Sequence, residues 1–216
     1  MRVMHVTFDM RIGGTEMVIK NIIEGNTDAN IEMSIYCIEA PLGPWGEDLK
    51  ASGTPIAVEE RQPGFDKSLI NKIRKHIKDN DIDILHCHQY TPWVYGTLAA
   101  AFTKTKVIFT EHGRFYPDSS SWKRKLVNPV LNKFTSAVTA ISEATRDALV
   151  EFECIKKSDI DVVYNGIKPL EPSTGELSAL KISLGLPENA LVFGTVARLD
   201  PIKNKSMIIE EFAEAE

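Results

Sequence analysis

A chain of 216 residues, 43% hydrophobic and 25% charged, has an ordinary soluble globular composition and room for one or two domains. Its net charge of -5 excludes a general nucleic-acid binder, so no nucleic-acid partner is expected, and no apolar run is long enough to cross a bilayer. Cys37, Cys87 and Cys154 are scattered and odd in number, which fits a reducing cytoplasm better than a disulfide framework, and Met1-Arg2 leads straight into a strand pattern, so no signal peptide is expected.

Val3, Met4, Val6 and Phe8 predict a short buried parallel strand. Gly13-Gly14 then breaks the pattern. Thr15 is expected to cap the next helix, with Glu16 in its first turn and Val18, Ile19, Ile22 and Ile23 as its apolar face. Two readings of the glycine pair stand: a tight turn only, or an anion site made by free backbone N–H groups and the helix dipole.

Residues 31–38 predict a second strand with Cys37 as a small core residue; 45–51 predict a short helix and 54–58 a short strand near an edge. Residues 68–78 are helical by period, with Leu69, Ile70, Ile73 and Ile77 on one face. Residues 81–88 begin polar and become a buried strand ending in His86-Cys87-His88. Pro92 suits the first turn of a helix running to Phe102, and 106–110 predict a strand followed by Glu111-His112-Gly113. Strand and helix alternate at βαβ spacing, which predicts an α/β fold with a doubly wound, Rossmann-like parallel sheet. Ligands of such sheets sit at the carboxyl ends of the strands, so Gly13-Gly14, His86 to His88 and Glu111 to Gly113 are expected to line one crevice.

Residues 114–121 read as a loop, and 122–134 as an aromatic and basic amphipathic helix. That helix has two readings: it lies on an anionic membrane surface, or it packs on the sheet with a solvated basic edge. A strand over 137–141, a helix capped by Ser142, a strand over 160–164 and a turn at Asn165-Gly166 follow. Two prolines and a glycine mark a linker, giving a first domain over 1–166, a linker over 167–175 and part of a second domain over 176–216. Within the last part, 176–184 predict a helix stopped by Gly185, 191–197 an apolar strand, 198–204 a loop and 207–215 a helix. One strand and two helices do not complete a doubly wound domain, so the second domain is expected to be truncated.

Gly13-Gly14-Thr15-Glu16 is similar to the Gly-Gly-x-Glu loop of family 4 glycosyltransferases with the GT-B fold. Asp83 to His88 resembles their D-x-x-H-x-H strand, Thr110 to Gly113 their T-x-H-G, and Val163 to Ile167 their V-x-N-G-[IV] segment. Val196-Ala197-Arg198-Leu199 with Lys203 resembles the G-R-L-x-x-x-K phosphate loop. The five matches stand in the family's order across nearly the whole chain. Three positions depart from its pattern: Ala197 where glycine is usual, Asn204 after the lysine, and Lys168 where aspartate is common.

The resemblance implies a retaining glycosyltransferase that moves a hexose from a nucleotide-diphosphate sugar to a saccharide or lipid-linked acceptor, in bacterial surface-polysaccharide assembly. It implies His112 on the donor sugar, Gly13, Gly14, Arg198 and Lys203 on the diphosphate, and Glu16 and His88 on the acceptor side. No protein nucleophile, cofactor or metal is implied. Cations and backbone N–H groups suit a leaving diphosphate, since they meet its developing charge. The family's paired glutamates lie farther along the second domain than Glu216, so the fragment is expected to be inactive, and its open apolar strand to pack on the first domain or in a truncation-induced homodimer. The expected location is cytoplasmic, peripheral at the inner face of the plasma membrane. Two alternatives stand beside this: a zinc-dependent hydrolase using His86, His88 and His112, and a non-catalytic nucleotide-binding module.

Overall fold

The computed structural model describes residues 1–113, 121–167, 169, 176–187, 189–197, 199 and 201–214. The chain forms two compact units, Met1–Ile167 and Lys168–Glu216.

The first unit runs β1 (Arg2–Thr7), α1 (Gly14–Glu24), β2 (Glu32–Cys37), α2 (Pro44–Ala51), β3 (Ile56–Val58), α3 (Lys67–Asp79), β4 (Ile84–His88), α4 (Tyr90–Ala100), β5 (Lys106–Glu111), α5 (Trp122–Asn132), β6 (Ala137–Ala140), α6 (Glu143–Glu153) and β7 (Ile160–Val162). The strands form one sheet in the order β3-β2-β1-β4-β5-β6-β7. Every pairing is parallel. This is the expected doubly wound α/β sheet. The order reverses between β1 and β4, and right-handed crossovers therefore put α1 and α2 on one face and α3 to α6 on the other.

Alternation along the strands sorts the side chains to match. Met4, Val6, Leu85, Cys87, Val107, Phe109, Val138 and Ala140 meet residues of α3, α4, α5 and α6 in the larger core. Ile35 and Cys37 meet Ile19 of α1 and Leu49 of α2 in the smaller one. Trp93 is fully buried and stacks on Phe109 with centroids 4.5 Å apart, while its Nε1 donates to Thr135 Oγ1 at 2.8 Å. A Cβ at Gly96 would stand 2.4 Å from Cys87 Sγ, so the missing side chain is what lets α4 lie on β4. Burial pushes the Cys37 thiol up to about 12, in keeping with a core residue.

Four expectations change. Helix α1 starts at Gly14 with Gly13 as its N-cap, so Thr15 lies inside the helix, buried, and caps nothing. Gly13 already holds the extended cap conformation, which leaves Thr15 two residues too late. Strand β7 ends at Val162, and 163–167 are neither strand nor helix. Helix α5 packs through Asn128 and Leu131, not through its apolar stripe: Trp122 is 69% exposed, Leu126 65% and Val130 54%. A polar clamp holds it there. The buried Glu153 accepts from Arg124 Nη1 at 2.9 Å and Asn128 Nδ2 at 2.7 Å, and Tyr90 donates to Asn128 Oδ1 at 2.8 Å.

The fourth change lies in the second unit. It holds α7 (Glu176–Ser183), a 3-10 turn at Pro201–Lys203 and α8 (Lys205–Glu214). Gly185 stops α7 in a left-handed conformation with φ +67°, as expected. Residues 191–197 form no strand. A strand exists through ladder hydrogen bonds, and no strand among the described residues of this unit pairs with the run. Phe193 instead meets Phe212 of α8 edge-on, with centroids 5.3 Å apart.

Candidate functional site

Because all seven strands are parallel, the carboxyl ends of β1, β4 and β5 lie side by side on one edge of the sheet. Two helices start there. Gly13 is extended and gives α1 no side-chain cap, and the Glu16 carboxylate of the first turn bends back and accepts from its own backbone N–H instead. A Cβ added at Gly14 would meet nothing within 4 Å, which leaves open space at that terminus. The Asp9 carboxylate accepts from the Arg11 backbone N–H and from its Nε, both at 2.8 Å, and pins the loop that leads in. Glu16 folds back over Gly13, and burial raises its pKa above the ordinary carboxylate value of 4.5, with its own backbone N–H pulling the other way. Helix α4 follows His88 through Gln89, whose φ of 69° and ψ of 168° belong to a region normally reserved for glycine.

Four histidines stand in a row on the α1 face of the sheet. β1 pairs with β4 so that His5 lies opposite His86. His5 Nδ1 is 3.0 Å from His88 Nε2, and His88 Nδ1 is 2.8 Å from His112 Nε2. His86 lies beside them, its ring centroid 4.1 Å from that of His88 and 5.2 Å from that of His5. Its Nε2 lies 2.7 Å from Thr110 Oγ1, which lies 2.6 Å from Thr139 Oγ1. Thr139 donates to the Phe109 carbonyl, so Thr110 donates to Thr139 and His86 donates to Thr110. Burial lowers His5 to about 3 and His86 and His112 to about 4, and puts His88 well below its ordinary 6.5. All four rings are neutral at physiological pH. His5 Nε2 and His112 Nδ1 are buried without a hydrogen-bond partner.

His86, His88 and His112 line a cavity of about 300 Å³ with Thr110, Thr139 and Ile141. Val18 and Ile22 of α1 and residues 163–166 close its sides. Of the residues expected in the site, His88 and His112 are in hydrogen-bond contact, while Gly13, Gly14 and Glu16 share the start of α1. Lys203 ends the 3-10 turn of the second unit and is exposed. Arg198 lies outside the described residues. His86 and His88 share a face with Cys87 on the other, as alternation requires.

The histidines that could together hold a metal ion, among the described residues, are His5, His86 and His88, with ring nitrogens within 4.8 Å of one another. This is not the His86, His88 and His112 set expected for a zinc site. Both nitrogens of His88 are committed to His5 and His112, so the row as it stands is a set of hydrogen-bonded imidazoles.

His5 escaped the sequence reading because it sits within an apolar run. Its only signal is alternation, and the 83-residue separation from His88 hides the contact until β1 and β4 are paired.

A profile of Glycosyltransferase Family 4 matches residues 12–169. The chain is 23% identical over 212 residues to the UDP-Gal:alpha-D-GlcNAc-diphosphoundecaprenol alpha-1,3-galactosyltransferase of Escherichia coli, covering 94% of this chain and 55% of that protein. It is 21% identical to EpsF of Bacillus subtilis (strain 168), covering 97% of this chain and 57% of that one. The chain thus spans about half the length of the curated relatives it matches. Among solved structures it is similar to Anabaena Alr3699/HepE in complex with UDP-glucose, with a TM-score of 0.79, 21% identity and coverage of 99% of this chain and 57% of that one. It is also similar to a glycosyltransferase from Rickettsia africae ESF-5, with a TM-score of 0.71, 19% identity and coverage of 87% and 50%.

Proposed function

Because the chain belongs to glycosyltransferase family 4, we propose that it is the acceptor-side part of an enzyme that transfers a hexose from a nucleotide-diphosphate sugar to a saccharide or lipid-linked acceptor. The observation that carries this reading is His112, whose buried Nδ1 has no partner and whose ring lines a cavity at the carboxyl edge of the sheet. The donor is taken to be a UDP-sugar by likeness to the complex with UDP-glucose.

The residues have distinct tasks in this reading. The start of α1 at Gly13 and Gly14 faces the diphosphate, whose negative charge grows as the sugar leaves, with open space at Gly14. Arg198 and Lys203, in the second unit, are cations of the kind a diphosphate takes. His112 holds the donor sugar through one hydrogen bond. Burial keeps its ring neutral at physiological pH, so it orients the sugar and does not protonate the leaving group. Transfer proceeds on one face of the sugar with retention, and no protein nucleophile is assigned. Glu16 belongs to the acceptor side, whereas His88, expected there too, is fully buried with both ring nitrogens committed and backs His112 instead. The 216 residues alone lack about half the length of the relatives, and we expect them to bind a donor weakly and to transfer nothing.

The exposed face of α5 supports a membrane setting for the acceptor. Its exposed Trp122, Leu126, Val127 and Val130 run beside Lys123, Lys125 and Lys133, a pattern that suits an anionic membrane surface and a lipid-linked acceptor. Among the described residues no helix is long and apolar enough to cross a membrane. Surface-polysaccharide assembly at the inner face of the plasma membrane is the setting this reading favours.

The test is turnover. In the full-length protein, His112→Ala should lower release of nucleoside diphosphate from UDP-glucose by tenfold or more, since about 1.4 kcal/mol of transition-state binding is a factor of ten. Its melting temperature should change little. Unchanged turnover would remove His112 from the site.

A further inference from the structure

The segments that leave β1, β2 and β3 each carry one charged residue into a shared cluster: Arg11, Glu39 and Arg61. These strands are neighbours, so the parallel sheet delivers the three side by side at its carboxyl edge. The Glu39 backbone N–H donates to the Phe8 carbonyl at 2.7 Å, and that of Arg61 to the Ile38 carbonyl at 2.9 Å, which carries the pairing past the strand ends. None of the three lines the cavity of the histidines.

Arg11 is held from two sides. The buried Asp9 accepts from its Nε at 2.8 Å and also from its Nη2. Gly43 packs on its backbone, where a Cβ would stand 2.4 Å from the Arg11 nitrogen. The side chain is nevertheless 55% exposed, so a fixed guanidinium faces water. Arg61 is tied by its Nη1, which donates to the Gly64 carbonyl at 3.1 Å. Holding long side chains still at a surface costs rotamer entropy.

Glu39 does not offset that cost. Its Oε2 is 3.9 Å from Arg11 Nη2 and its Oε1 is 3.6 Å from Arg61 Nη2. Each oxygen faces a different arginine across a gap too wide for a hydrogen bond. The carboxylate makes no hydrogen bond with the described residues, and Arg61 Nε is buried without a partner. Exposed ion pairs of this length contribute little to stability.

The group that suits such a gap donates to the carboxylate and accepts from the guanidinium. A hydroxyl does both, whereas a phosphate only accepts and an ammonium only donates. Asp9 and Glu39 balance the two arginines in charge, and Glu16 stands within electrostatic reach of Asp9 and Arg11, so an anion meets no net attraction here. Two gaps on one carboxylate suit neighbouring hydroxyls of a sugar. We propose that Arg11, Glu39 and Arg61 form a saccharide subsite that holds hydroxyls of the acceptor. This rests on the reading that the chain serves a sugar acceptor, and it extends the acceptor side from Glu16 across β2 to β3.

Arginine Nε–Hε correlation spectra of the full-length protein test this. The probes are the methyl glycosides of glucose, galactose and N-acetylglucosamine, with methyl phosphate as the anionic control. At least one glycoside should move the Arg11 and Arg61 resonances saturably, and methyl phosphate should not. Glu39→Ala removes the acceptor from both gaps on a side chain 35% exposed, and should weaken the glycoside response by about tenfold or more. No response to any glycoside overturns the proposal, and that result needs no variant to fold. A response to methyl phosphate at least as strong, or an unchanged glycoside response in Glu39→Ala, overturns it as well. Calorimetry with UDP-glucose keeps the two readings apart. A glycoside response without UDP-glucose binding leaves the subsite and removes the transferase reading. UDP-glucose binding without a glycoside response leaves the transferase reading and removes the subsite.

Discussion

His112 closes a row of imidazoles whose charge state is set first by burial. That makes the row a liability in acid. His5, His86, His88 and His112 all have folded pKa values below the ordinary 6.5. Below that value the unfolded chain binds protons that the folded rings refuse, so stability falls as pH drops. The loss starts near pH 6.5 and continues towards the folded values of about 3 to 4 for His5, His86 and His112. Each ring contributes about 1 kcal/mol per pH unit in that window. Urea melts at pH 7.5, 6 and 5 should show a steep decline, shallower in His5→Phe relative to its own value at pH 7.5. A flat profile from pH 7.5 to 5 would mean that the rings are not buried together. His88 and His112 were legible in the sequence, because each ends a strand and the strand ends share one edge. His5 was not, since alternation gives its face but only the β1–β4 pairing gives its neighbour.

At the scale of elements, α5 shows what periodicity leaves open. A 3.6-residue pattern marks a stripe but does not say which side of a helix meets the core. Here the deciding contact is polar: the buried Glu153 of α6 gathers Arg124 and Asn128, and the apolar stripe is turned outward. Arg124 is 32% exposed, so removing Glu153 leaves a cation that reaches water and a buried Asn128 amide without its carboxylate acceptor, a loss of about 1–3 kcal/mol. Glu153→Ala should lower the unfolding free energy by that order, and a loss below about 1 kcal/mol would show that the clamp does not hold α5. The outward stripe carries its own prediction. Vesicles containing anionic lipid should float the protein at low salt, with each cation worth about 1 kcal/mol near the surface, and flotation should weaken as salt screens the charges. No flotation at either salt would refute the membrane reading of α5. The strand expected over 191–197 failed for a related reason. An apolar run announces a wish to be buried, while strand formation depends on a pairing partner elsewhere in the chain.

For the whole molecule, the doubly wound parallel sheet was legible because βαβ spacing permits few topologies, and it brings separated motifs to one edge. Arg198 and Lys203 belong to another unit, and the proposal that they serve a diphosphate rests on chemistry alone: a diphosphate takes cations, each charge-assisted contact being worth roughly 1.5–3 kcal/mol. The central claim is that the glycine-rich start of α1 and His112 together hold a nucleotide-diphosphate sugar. Calorimetric titration of the full-length protein with UDP-glucose tests it most directly, comparing the wild type with Gly14→Val and His112→Ala. A Cβ at Gly14 points into open space, so the valine should leave the fold intact and fill the room the diphosphate needs. The account predicts measurable binding in the wild type and a loss of about tenfold or more in each variant, about 1.4 kcal/mol apiece. Wild-type affinity in both variants would contradict it.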